Sequence, residues 1–82
     1  MVMDKDLIYC KHILEAIKSV EDFTKGMTFD TFAADARTFM AVTRGLEIIG
    51  EAAKQLSDDF RTKNYSIPWR DIMGMRDVLI HH

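Results

Sequence analysis

An 82-residue chain has room for one small domain and excludes a catalytic domain joined to a separate binding domain. With 48% hydrophobic and 29% charged residues, one Pro and four Gly, it is neither disordered, nor collagen-like, nor a loop-rich disulfide scaffold. The formal charge of −2 excludes broad coating of nucleic acid through counterion release, though not chemistry at a single phosphate.

From Asp4 to Thr24, Leu7, Cys10, Leu14, Ile17, Val20 and Phe23 recur at helical spacing with Lys and Glu between them, which predicts an amphipathic helix with these residues as its core stripe. Gly26 supplies a stop, and Thr28 or Asp30 an N-cap for the next element. That element is expected as one long helix from Phe29 to Leu56, with Phe39, Val42, Leu46, Ile49, Ala53 and Leu56 in a single stripe. Gly45 and Gly50 inside it point to close helix packing. Ser57-Asp58-Asp59 caps a short turn through Arg61, a loop covers residues 63–66, and Pro68 opens a last helix carrying Trp69, Ile72, Met73, Met75, Val78, Leu79 and Ile80. The fold class is therefore all-α, a small antiparallel helical bundle forming one domain over residues 1–82. So short a chain buries only about 60% of its unfolded surface, so a homodimer is expected, with the long second helix and the end of the last helix at its interface.

The lone Cys10 has no CxxC partner and sits on the core stripe, as a packed thiol does. No apolar stretch approaches the ~20 residues of a membrane span. Asp4 and Asp6 stand where a secretory leader is positive, so a cytoplasmic location is expected. His12 reads as a solvated side chain, and Arg44, Glu47 and Glu51 as a charge ladder. Glu47 and Glu51 are the only carboxylate pair with metal-ligand spacing, and without an ExxH motif no metal or cofactor is expected.

The C-terminal end differs. Arg76, a permanently charged bidentate phosphate binder, is followed after four intervening residues by His81, which titrates near neutral pH. These are residue types that cleavage of a phosphodiester without metal requires. Five residues of ideal helix turn through about 140°, so the helix is expected to end or distort between them, with a second copy completing the site across a two-fold axis.

Leu46-Glu47-Ile48-Ile49-Gly50-Glu51-Ala52-Ala53-Lys54-Gln55-Leu56-Ser57, then Ile67-Pro68-Trp69-Arg70-Asp71-Ile72, then Gly74-Met75-Arg76-Asp77-Val78-Leu79-Ile80-His81, together resemble the HepT-like branch of the HEPN superfamily. Ile13-Leu14-Glu15-Ala16-Ile17 also fits. The resemblance implies a dimeric helical bundle that is the toxin of a type VII toxin–antitoxin system. Its activity would be that of a metal-independent endoribonuclease, leaving a cyclic phosphate on the RNA it cuts. It assigns catalysis to Arg76 and His81, makes Asp77 and His82 possible accessory residues, and names an MNT-type minimal nucleotidyltransferase as the antitoxin. In the family that antitoxin silences the toxin by transferring AMP to a Tyr two residues beyond the motif His. Neither that Tyr nor the family's last helix has a counterpart in these 82 residues, so the chain is expected to be a C-terminally truncated member. Leu79, Ile80 and the stripe of the first helix would then present an apolar patch. Gly45 stands where the family often has Asn. The alternative is a non-catalytic helical module that binds the nucleotidyltransferase or another partner.

Overall fold

The computed structural model describes residues 4–81, with the helical backbone alone over 76–81. Five helices follow one another: α1 (Lys5–Thr24), α2 (Phe29–Ala34), α3 (Ala36–Gln55), α4 (Asp58–Lys63) and α5 (Trp69–His81). No strand occurs among the described residues. No helix among them is long and apolar enough to cross a membrane.

Each boundary has a local cause. Asp4 caps α1 by accepting the Asp6 N–H. At the other end Gly26 adopts a left-handed φ of 77°, which a residue with a Cβ resists. Thr28 starts α2 in a reciprocal capping box, its hydroxyl accepting the Thr31 N–H at 3.1 Å while the Thr31 hydroxyl accepts the Thr28 N–H at 2.9 Å. The single helix expected over Phe29–Leu56 is in fact two. At Asp35 the backbone turns extended (φ −99°, ψ 97°), and the Asp35 carboxylate caps α3 by accepting the Thr38 N–H at 3.1 Å. An Asp inside a periodic stretch competes with the helix for its own backbone groups, and here it wins. Ser57 caps α4 as its sequence position predicts, accepting the Phe60 N–H.

Helix α3 is the centre of the bundle, with α1 and α5 both packed on it. Asp6 meets Ser57 near one end of α1 and Val20 meets Gly45 near the other, so α1 and α3 run antiparallel. The buried apolar residues among those described are Ala16, Ile49, Ala52, Ala53 and Leu56, and the buried Gly45 and Gly50 lie on the same helix as three of these, with Leu56 at its C-cap. Small residues let the helix axes approach. A Cβ placed on Gly45 would stand 2.6 Å from Val20 Cγ2, which explains the glycine expected to mark close packing.

That small-residue contact corrects the expected core stripe of α1. Leu7, Leu14, Ile17 and Phe23 are exposed, Leu14 by 66%, and Phe39 of α3 is exposed by 52%. Of the expected stripe Val20 does meet α3, at Gly45, and the buried neighbour on that seam is Ala16, which lies outside the stripe. Cys10, Ile13, Leu14 and Ile17 of α1 line one wall of an open apolar groove of about 320 Å³, with Ile49, Phe60 and Trp69 among the facing residues. The chain is accordingly elongated, 43 × 28 × 21 Å with a radius of gyration of 14.2 Å, where a compact chain of this length measures about 12 Å.

Candidate functional site

Helix α5 carries the expected site, and α4 with the loop after it aims α5. Asn64 ends α4 by donating its side-chain amide to the Phe60 carbonyl at 2.9 Å, and the Trp69 indole N–H returns to the Asn64 carbonyl at 3.0 Å. Phe60 and Trp69 meet edge to face, 6.1 Å between ring centres. The two contacts of Trp69 tie the first turn of α5 to the end of α4. Pro68 stands immediately before the helix, and its carbonyl accepts the Ile72 N–H.

From Trp69, α5 runs unbroken to His81, so the break expected between Arg76 and His81 does not occur. No Pro or Gly separates them, so no helix breaker interrupts the segment. The two backbone positions therefore stand about 140° apart around one regular axis and about 7.5 Å apart along it. The side chains of Arg76, Asp77, Leu79, Ile80 and His81 fall outside the described residues, as does His82 altogether.

Upstream on the same helix, a second guanidinium reaches α5 that the sequence did not single out. Arg61 of α4 directs Nη1 to the Met73 sulfur at 2.8 Å and Nη2 to Asp58 Oδ1 at 2.6 Å. Spacing reveals the Asp58 contact, an i,i+3 pair. The Met73 contact crosses the loop between the helices and has no local signature.

A clamp at the start of α4 was equally hidden. Asp6 of α1 accepts the Ser57 backbone N–H at 2.7 Å on one carboxylate oxygen and the Ser57 hydroxyl at 2.6 Å on the other. Hydrogen bonds from the Ser57 hydroxyl and then its N–H hold the Asp6 carboxyl below its ordinary pKa.

Arg44 reaches Glu47 at 3.4 Å and Glu51 at 3.7 Å, the ladder expected from spacing. His12 is exposed and lies edge-on to Tyr9, 5.6 Å between ring centres. Cys10 is half-buried, and burial, with Asp6 and Asp4 nearby, pushes its thiol pKa up, away from the reactive thiolate.

Comparison with known proteins matches residues 13–82 to the family model described as ribonuclease HepT-like. A candidate RNase of Methanocaldococcus jannaschii is 51% identical over 70 residues, 85% of this chain and 58% of that protein. The "Probable ribonuclease HepT" of Thermococcus cleftensis is 48% identical over 73 residues, 89% of this chain and 66% of its own length. A candidate RNase of Caldanaerobacter subterraneus subsp. tengcongensis is 45% identical over 73 residues, again 89% of this chain and 65% of the relative. The chain thus spans just under two thirds, or less, of the length of these relatives. No solved structure matches it.

Proposed function

The chain belongs to the ribonuclease HepT-like family, and from that premise we propose that it is a metal-independent endoribonuclease whose catalytic residues are Arg76 and His81 of α5. The observation that carries this reading is the Arg-x4-His pair on one unbroken helix inside the matched segment. His81 in its neutral form takes the proton of a ribose 2′-hydroxyl, and the oxygen attacks the adjacent phosphorus. The bond to the 5′-oxygen breaks, that oxygen leaves with a proton, and the products are a 2′,3′-cyclic phosphate and a 5′-hydroxyl. Arg76 supports the charge that gathers on the phosphate oxygens, a task suited to a planar fork of donors. Asp77 and His82 are accessory candidates beside them.

Residues about 140° apart on one helix are brought to a single phosphate most simply when two copies pair, one giving Arg76 and the other His81. The small buried core and open groove fit such a homodimer. In the cell the chain acts as the toxin of a pair, in the cytoplasm, restrained by an MNT-type nucleotidyltransferase.

The test is cleavage of labelled RNA by the 82-residue chain in excess EDTA. Arg76→Ala and His81→Ala are each expected to lower the rate by 100-fold or more, on the order of a lost acid–base or charge-stabilising group, while His82→Ala keeps most of it. Full activity in His81→Ala, or its abolition by EDTA, overturns the assignment.

A further inference from the structure

We infer that Arg61 is an RNA-binding residue that holds the phosphate next to the one cut at Arg76 and His81. The inference rests on the ribonuclease reading and adds a residue from a different helix to the substrate track.

Three observations carry it. The Met73 contact sets the Arg61 guanidinium against α5, one helical turn before position 76, about 4.5 Å of axial rise. That step is shorter than the spacing of consecutive phosphates, and the reach of an Arg side chain makes up the rest. Second, the partners are weak for so strong a donor. A thioether is a poor acceptor, and the Asp58 carboxylate is 96% exposed, so this pair has little to lose when a phosphate takes its place. Third, Arg61 is already ordered. Its own side chain is only 23% exposed, α4 is capped by Ser57 and clamped by Asp6, and Asn64 and Trp69 fix the angle between α4 and α5. Binding a phosphate there sacrifices little further side-chain freedom. A planar bidentate donor held at a helix surface by partners it can exchange is suited to a phosphodiester oxygen pair. In a chain of net charge −2, such a local contact supplies attraction that the overall charge does not.

The experiment compares Arg61→Gln and Arg61→Lys in the His81→Ala chain, which on the ribonuclease reading is expected to hold RNA without cutting it. Binding of a short fluorescein-labelled single-stranded RNA is titrated at several salt concentrations, and melting temperature is recorded alongside. Arg61→Gln is expected to weaken binding about fivefold to tenfold and to flatten the plot of log K against log salt by about 0.7, the loss of one phosphate contact on a single strand. Arg61→Lys, which keeps the charge without the fork, is expected to restore the slope and part of the affinity. An unchanged affinity and slope in Arg61→Gln, with a lowered melting temperature, makes Arg61 a strut between α4 and α5 and overturns the inference alone. Absence of RNA binding by the parent chain overturns it together with the ribonuclease reading.

Discussion

Asp6 and Ser57, 51 positions apart in the sequence, form the longest-range polar link described in the chain, with both oxygens of one carboxylate taken up by one serine. The same serine hydroxyl caps α4, so one residue joins the start of α1 to the element that carries Arg61.

This link makes stability depend on pH. The folded Asp6 carboxyl titrates below its ordinary value of 3.8, so the unfolded chain binds its proton more readily than the folded chain does. The stabilisation is therefore complete well above pH 3.8 and is lost as the pH falls through the lower folded value. Asp6→Asn is expected to melt at a lower temperature than the parent at pH 7, with the gap closing as the pH drops below 3.8. A gap that stays constant from pH 7 to pH 3 contradicts the clamp. Ser57→Ala, which also removes the cap, is expected to cost about 1–2 kcal/mol in denaturant unfolding.

Gly45 of α3 lies so close to Val20 of α1 that an added Cβ would stand 2.6 Å from Val20 Cγ2. Gly45→Ala gains about 1 kcal/mol of helix propensity but drives a methyl into a β-branched side chain with few rotamers to move into, a cost of about 1–3 kcal/mol. A net loss of up to about 2 kcal/mol is expected, with Val20→Ala relieving it in the double variant. Additive effects in that cycle, measured by urea unfolding, contradict the contact.

Pairing of two copies has its own test. Mixed after unfolding and refolding, Arg76→Ala and His81→Ala are expected to recover about a quarter of the parental cleavage rate, since half of the dimers are mixed and each holds one complete site. No recovery contradicts a site shared between copies.

Much of this fold was legible before the structure. The caps at Thr28 and Ser57, the stop at Gly26 and the close approach at Gly45 all follow from local chemistry. Two expectations about the helices failed, the first for a local reason and the second because tertiary context decided. Asp35 broke a periodic stripe because its carboxylate found the Thr38 N–H. Period alone puts Leu7, Leu14, Ile17 and Phe23 in the core of α1 beside Val20, whereas only Val20 of these meets α3 at Gly45, next to the buried Ala16, where small residues permit close approach. At the site, the motif pair was readable as residue types. The continuity of α5 follows from the absence of Pro and Gly between Arg76 and His81, whereas the Asp6–Ser57 clamp and the Arg61–Met73 contact depend on which elements meet in space, and no spacing rule encodes them.

The chemistry at the RNA ends tests the central claim most directly. Mass spectrometry of an oligoribonucleotide incubated with the chain in excess EDTA is predicted to show 2′,3′-cyclic phosphate and 5′-hydroxyl ends, absent when His81→Ala replaces the parent. Ends bearing a 3′-hydroxyl and a 5′-phosphate, or the cyclic phosphate forming equally with His81→Ala, would contradict catalysis by Arg76 and His81.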